Sequence, residues 1–406
     1  MQIVYQGGTM SEVVIGDKTS WVGVNDRTTD LFEGLWPIDG IGASYNSYII
    51  KDTKNVLIDL AKAIKTDDFF DQITNIIDLD KLDYIILNHM EPDHTGVIKT
   101  LRMVAKNAEI LCTPKAVNML KDFYGISDGI RAVKDGETLS TGSHELQFYH
   151  VPFVHWPETM VTFDATTNVL FSCDAFGGYG AFQGTIFDDE CTQLDFYINE
   201  SLRYYSNIVA KFSNSVLNAI NKLGGLTIKT IAPSHGLVWR KDPGKIIQLY
   251  KKWAEYSTNG GEKGITLLYG SMYGNTETMM NAVAQGISDG GIHPEIFDVA
   301  RTHVSYMLPS LWKNKGVVIG APTYEVTLFP YMQVALEKAK LKTVKNKKAI
   351  YFGSYGWSKG ALKKVQEITE GLNWEILEGL EFPGQVTPEL YKKGYELGKK
   401  FAQSIE

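Results

Sequence analysis

The chain has 406 residues, 44% hydrophobic and 21% charged, with a formal net charge of −7, enough for two domains with substantial cores. It carries no basic patch interleaved with aromatics and no apolar run of the ~18 residues a membrane span needs, which argues against nucleic-acid and membrane partners. Its three cysteines, Cys112, Cys173 and Cys191, form no Cys-x-x-Cys pair, and Met1–Gly7 lacks the basic start and apolar core of a signal peptide, so a soluble cytoplasmic protein is expected.

Residues 1 to about 60 read as a β-meander, in which Ser44–Ile50 alternates, Asp52–Asn55 turns and Val56–Leu60 returns. A helical stretch follows, with Phe69, Phe70 and Ile73 on one face. Tyr84–Leu87 and Glu109–Cys112 read as buried strands, and Lys115–Phe123 as a helix closing near Gly125. Leu146–Val151 is a strand, and Met160–Phe163 with Val169–Ser172 a hairpin. Residues 191–223 are mostly helical, ending at Gly224-Gly225. Thr230–Pro233 is a strand, and a helix runs through Tyr250 and Trp253. The polar, glycine-rich stretch Ser257–Lys263 is the one convincing linker. Beyond it strands at Ile265–Tyr269, Val317–Ile319 and Ala349–Phe352 alternate with helices at Thr276–Ser288, Tyr331–Lys340 and Ala361–Leu372. A weak strand near Trp374–Leu377 and a helix from Pro388 follow, and the alternation implies a doubly wound parallel sheet.

Two clusters carry chemistry. In Asn88–Gly96, four potential metal ligands (His89, Glu91, Asp93 and His94) fall just past an apolar strand. Pro92 argues against a helix there. His155, Asp174 and His235 also stand past strand-like runs, making four imidazoles and three carboxylates. A single metal rarely takes seven such ligands, whereas two metals ~3.5–4 Å apart and sharing a carboxylate would, with Asp174 as the bridge. The remaining histidines, His144, His150, His293 and His303, need no role.

The second cluster is the loop Ser271-Met272-Tyr273-Gly274-Asn275-Thr276, between strand and helix. Its hydroxyls and the amides of a helix start can hold a phosphate. No Gly-Lys-Ser/Thr and no Gly-x-Gly-x-x-Gly is present there, so neither an ATPase loop nor a dinucleotide site is indicated. Pro322, Thr323 and Tyr324 follow the next strand, and Ser354, Tyr355, Gly356 and Trp357 the one after. Both loops sit where such sheets bind ligands and offer aromatics to flank a flat ring.

The first cluster resembles the metallo-β-lactamase superfamily, whose hydrolases read His-x-His-x-Asp-His. Glu91 stands in the place of the second histidine, and a harder, anionic ligand shifts preference from zinc toward iron. The second cluster resembles flavodoxin, which implies FMN. Together the strings NHMEPDHTG, VHWPET, FSCDAFG, APSHG, SMYGNT, GAPTY and GSYGWS resemble the flavodiiron protein family, the A-type flavoproteins. That resemblance implies a lactamase-like αββα sandwich over 1–258 and a flavodoxin-like domain over 264–406. It implies reduction of dioxygen to water, nitric oxide to nitrous oxide, or both, at two irons. One iron would take His89, Glu91 and His155, the other Asp93, His94 and His235, with Asp174 between them. It further implies a head-to-tail homodimer or a dimer of dimers, with electrons from a rubredoxin or a reduced deazaflavin. Tyr204 or Tyr205 would supply a hydrogen bond near the substrate. Many relatives carry a histidine that approaches the irons in an early Phe-His-Gly-Tyr segment, where this chain has Phe32-Glu33-Gly34-Leu35, so that additional histidine is missing, whether Glu33 substitutes for it stays open, and so does the preference between the gases. The competing readings are a binuclear zinc hydrolase with a flavodoxin module, and an electron carrier whose first domain only docks.

Overall fold

The computed structural model describes residues 12–406. Met1–Gly7 and the opening of the expected meander lie outside the described residues. The chain forms two compact units. The first runs up to Tyr204 and takes in Asn214–Tyr250; the second comprises Tyr205–Ser213 and Lys251–Glu406.

In the first unit one sheet follows chain order: β1 (Val13–Gly16), β2 (Thr19–Trp21), β3 (Tyr48–Ile50), β4 (Val56–Ile58), β5 (Tyr84–Ile86), β6 (Glu109–Cys112) and β7 (Ile130–Ala132). Strands β1 to β4 pair antiparallel, β4 to β7 parallel. The parallel strands β4, β5 and β6 are covered on both faces, which is why they read as unbroken apolar runs, whereas β7 at the sheet edge is partly exposed. A second sheet holds β8 (Thr138–Ser140), β9 (Glu145–His150), β10 (Met160–Asp164), β11 (Val169–Cys173) and β12 (Thr230–Pro233). It is an antiparallel meander as far as β11, which pairs parallel with β12. The two sheets meet through side chains. The Tyr48 ring lies 5.2 Å from that of Phe171, and its hydroxyl donates to the Pro233 carbonyl at 2.7 Å.

Helices complete this unit. In α1 (Thr66–Thr74), Phe69 and Ile73 are buried, as their spacing predicts. Pro92 does not break a helix; it begins the short α2 (Pro92–Thr95), at a first-turn position where its missing N–H costs nothing. Next come α3 (Ile98–Val104) and α4 (Pro114–Tyr124), the latter capped by Gly125 at φ 70°. The helical region after 191 divides into α5 (Leu194–Tyr204) and α6 (Ser213–Leu223), which but for Ser213 belong to this unit, and between them a π-helical turn at Tyr205–Val209 and a 3-10 turn, which belong to the second.

The expected linker is mostly regular structure. Ser257–Asn259 closes α7 (Pro243–Asn259), and Glu262 opens β13 (Glu262–Tyr269). Only Gly260 and Gly261 lie between them, and a Cβ on either would stand 2.2 Å from a carbonyl of Asn346 or Lys313. Their small size allows this close packing, and both sit at positive φ (80° and 106°), where glycine is favoured.

The second unit continues with α8 (Asn275–Asp289), β14 (Glu295–Asp298), α9 (Val304–Lys313), β15 (Asn314–Gly320), α10 (Pro330–Leu341), β16 (Lys348–Tyr355), α11 (Ala361–Thr369), β17 (Glu375–Pro383) and α12 (Pro388–Ser404). The sheet order is β14-β13-β15-β16-β17, all parallel, which places a ligand crevice beside β13 and β15 where the winding reverses. Helices α8 and α12 pack backbone to backbone. A Cβ on Gly286 would meet the Tyr395 carbonyl at 1.9 Å, and one on Gly398 the Val283 carbonyl at 2.1 Å.

Candidate metal centre and flavin cradle

The seven expected ligands converge at one end of the two sheets of the first unit. His89 follows β5, Asp93 and His94 ride on α2, and Glu91 precedes it. His155 comes from the loop between β9 and β10, Asp174 follows β11 and His235 follows β12. Strand ends hold these side chains because the backbone beneath them is locked in ladders. The first loop is further fixed by Asp59, at the end of β4, which accepts the Asn88 backbone N–H at 2.8 Å and its side-chain amide at 3.0 Å.

The ligand atoms form two groups around Asp174. Its Oδ2 lies 3.3 Å from Nε2 of both His89 and His155. Its Oδ1 lies 2.9 Å from Nε2 of His94 and 3.4 Å from Nε2 of His235. Glu91 Oε2 joins the first group, 3.0 Å from His155 Nε2 and 3.4 Å from His89 Nε2. Asp93 joins the second, with Oδ2 3.2 Å from His235 Nε2 and Oδ1 3.5 Å from His94 Nε2.

Several of these atoms are buried with no hydrogen bond: Nε2 of His155 and of His235, Oδ1 of Asp93 and Oδ2 of Asp174. Orphaned donors and acceptors aimed at one another are costly without a cation among them. In a metal-free cage, protons take that place. Burial alone would lower His155 and His235, but Asp174 together with Glu91 raises His155 to about 9, and Asp174 together with Asp93 raises His235 to about 10. Burial alone would raise Asp174 and Glu91, yet the surrounding imidazoles hold both well below the usual carboxylate range. Mixed nitrogen and carboxylate donors of this kind suit iron.

Aromatic rings close over the second group. Phe32, Tyr204 and Tyr45 place their centroids 5.3, 5.6 and 5.7 Å from that of His235. Tyr204 is fully buried, and its hydroxyl is raised well above the ordinary tyrosine value by burial and then by the charges of Asp174 and Asp93. Tyr205 lies in the second unit instead. Its hydroxyl bonds Ser213 at 2.8 Å, and its ring packs on Trp253 and Trp312. A cavity of about 560 Å³, lined by Phe32, Leu35, Tyr45 and Lys62, opens onto Glu91 and Asp93. Glu33 stands in its wall. Burial and then the charge of Glu91 push its carboxyl up to about 7, while Trp36 Nε1 donates to it at 2.9 Å.

In the second unit, the residues expected around a flavin gather at the carboxyl ends of β13, β15 and β16. Helix α8 starts at Asn275 behind Gly274, which is at φ 89° and has no side-chain cap. Ser271 Oγ accepts the Gly274 N–H at 3.1 Å, and the hydroxyls of Thr276 and Ser354 meet at 3.1 Å. Thr323 Oγ1 accepts the Ala361 N–H at 3.4 Å, tying the loop after Pro322 to α11. Tyr273 and Trp357 are 89% and 82% exposed, and Met272 and Tyr324 are also exposed. Large rings left in solvent beside an uncapped helix start are what a phosphate with a flat ring would cover.

Comparison with known proteins agrees with both halves. The family described as ODP family beta lactamase matches residues 43–236, and the flavodoxin family matches residues 267–398. An anaerobic nitric oxide reductase flavorubredoxin of Shigella dysenteriae serotype 1 is 35% identical over 401 residues, covering 96% of this chain and 82% of that protein. This chain belongs to the flavodiiron protein family. The flavodiiron protein of Giardia intestinalis superposes with a TM-score of 0.93 at 28% identity, covering 98% of this chain and 97% of that one. The rubredoxin oxygen:oxidoreductase of Desulfovibrio gigas gives 0.92 at 27% identity, covering 97% and 98%.

This flavodiiron protein also uses residues that its sequence did not single out. Glu158 holds His89 Nδ1 at 2.7 Å, and the Ser44 carbonyl holds His235 Nδ1 at 2.7 Å. A glutamate three residues past His155 was the available signal for the first; a backbone carbonyl leaves none. Among the other histidines, His144 has a structural setting. It is fully buried, with Nδ1 2.8 Å from Asp164 Oδ2. His150 Nε2 lies 3.1 Å from the Val133 carbonyl, and His303 caps α9.

Proposed function

We propose that this flavodiiron protein reduces dioxygen to water, nitric oxide to nitrous oxide, or both, at two irons, with electrons passed on by bound FMN. The observation that carries the reading is the division of Asp174, with one oxygen facing His89 and His155 and the other facing His94 and His235. Relatives named for each gas support both substrates. His89, Glu91 and His155 would hold one iron, Asp93, His94 and His235 the other, and Asp174 would bridge them. When bound, the iron pair would supply redox chemistry to a small substrate, and the flavin would supply electrons.

The chain's own groups set the conditions. Three carboxylates among the four imidazoles offset growing positive charge and favour the oxidised metals. Phe32, Tyr45 and Tyr204 keep water from one side of the centre, and the Tyr204 hydroxyl can donate a hydrogen bond to the substrate. The cavity beside Glu91 and Asp93 is an entry wide enough for a diatomic gas. Ser271 and Thr276, with the start of α8, would hold the flavin phosphate, while Tyr273, Tyr324 and Trp357 would flank the ring. Pro322, Ser354, Tyr355 and Gly356 shape the remaining walls.

The functional modules are proposed as 1–258 and 264–406. A head-to-tail homodimer or dimer of dimers would bring the flavin of one copy to the irons of another. A cytoplasmic rubredoxin or a reduced deazaflavin would supply electrons. Glu91 argues against the zinc hydrolase, and the complete ligand set argues against a mere electron carrier. The test is to quantify iron and flavin and then measure consumption of both gases side by side under saturating reductant. Zinc alone in a cage offered iron, or no consumption of either gas by reduced protein, would sink the proposal.

A further inference from the structure

We infer that the two metal positions are unequal, and that Glu158 makes the position of His89, Glu91 and His155 the tighter one. The inference rests on the diiron reading above. Glu158 lies between His155 and β10 and is fully buried. Its Oε1 accepts from His89 Nδ1 at 2.7 Å and from the Met90 backbone N–H at 2.9 Å. A carboxylate can only accept, so the first contact puts a proton on Nδ1 and leaves Nε2, on the side of Glu91 and Asp174, as the atom that would give its lone pair to a metal. A charged acceptor behind a ligand imidazole also strengthens its donation to a metal. The second contact ties down the segment that carries Glu91. Glu158 is itself anchored, because Thr113 Oγ1 donates to its carbonyl at 2.8 Å while capping α4.

Among the described residues the other position has no counterpart to that hydrogen-bonded carboxylate. His235 Nδ1 faces a neutral acceptor, the Ser44 carbonyl, at 2.7 Å. His94 Nδ1 is buried and has no hydrogen bond. The nearby Asp59 carboxylate bonds Asn88 and Ser234 and no imidazole. With Asp174 shared, the first position has Glu91 in the cage and the Glu158 charge bonded directly behind a ligand imidazole; the second has Asp93 in the cage, and the Asp59 charge near His94 makes no hydrogen bond to it. The surplus charge is buried beside the metal, where solvent and salt screen it little.

The experiment starts from iron-loaded protein and removes iron slowly with a ferrous chelator. Wild type should release iron in two phases. Anomalous diffraction from half-depleted crystals should find the surviving iron beside His89. Glu158→Gln keeps the shape and the Met90 contact but removes the charge, and it should accelerate the slow phase by about 10–100-fold while leaving the fast phase unchanged. Equal survival at both positions, or survival beside His235, overturns the inference, as does an unchanged slow phase in a folded variant. Should that variant not fold, Glu158→Asp, which keeps the charge but draws it back from His89 Nδ1, takes its place, and an unchanged slow phase again overturns the inference. Protein that takes up no iron at all removes the diiron reading and this inference with it, whereas equal occupancies remove this inference only.

Discussion

Replacing Lys347 with methionine should change how the stability of the second unit depends on pH. The Lys347 ammonium is buried and donates to the carbonyls of Gly260, Asn314 and Trp312 at 2.6, 2.8 and 3.1 Å. No carboxylate is among these partners, and burial pushes its pKa down to about 7. In the unfolded chain a lysine titrates near ~10.4. The folded state therefore sheds this proton first. Between about pH 7 and about pH 10 the unfolded chain binds more protons, so stability rises with pH. At ~1.4 kcal/mol per unit over about three units, wild type should gain about 4 kcal/mol on Lys347→Met across that window. Below pH ~7 both states are protonated and the difference between the proteins should level off. Urea titrations of flavin-free wild type and variant across the window would measure it. Other groups titrating there are common to both proteins and cancel in the difference. Parallel pH profiles would mean that three carbonyls suffice to keep the ammonium charged, and the reasoning from burial would fail.

Asp174→Asn should lower iron content and gas consumption together, because one acidic group faces all four imidazoles; two irons per chain at full turnover would rule out the bridge. Thr276→Val removes the contact with Ser354 and a hydroxyl of the cradle, and should weaken FMN binding by about 1 kcal/mol, roughly fivefold, with iron unaffected. Flavin titration by fluorescence would show this, and an unchanged affinity would contradict it. Tyr204→Phe should slow turnover in protein that keeps its iron, whereas Tyr205→Phe should spare turnover and cost about 1 kcal/mol of stability through the Ser213 hydrogen bond; equal effects on turnover would refute the distinction. Because His155 and His235 sit at about 9 and about 10 in the metal-free cage, metal uptake at neutral pH should expel protons and strengthen as pH rises toward those values. Calorimetry in buffers of different ionisation heat counts the protons, and a count of zero would be decisive against it.

The convergence at Asp174 was legible because His89, Asp174 and His235 follow strands buried on both faces, which announce themselves as unbroken apolar runs, while His155 follows an alternating, half-exposed strand. Other features hid for identifiable reasons. Pro309 lies inside α9 and disguised it. Strand β14, at the sheet edge and half exposed, lacks the apolar run of its neighbours. Choosing between Tyr204 and Tyr205 was not possible from helical spacing, since the π-helical turn at Tyr205–Val209 changes the angular step where the two diverge. Lys347 sits in Lys345-Asn346-Lys347-Lys348, a run that looks like solvated surface, yet one of its lysines is buried. Glu158 reads as an ordinary loop acid until the fold sets it against His89, far away in sequence.

The backbone-to-backbone seam between α8 and α12 bears on how the protein is made. Synthesis runs from the N-terminus, and all seven ligand-bearing residues have left the ribosome once His235 and the helix after it are out. The brace behind the phosphate-binding helix emerges much later, with Gly398. If the seven proposed ligands hold iron, a nascent chain could present all of them while the flavodoxin module is still being translated.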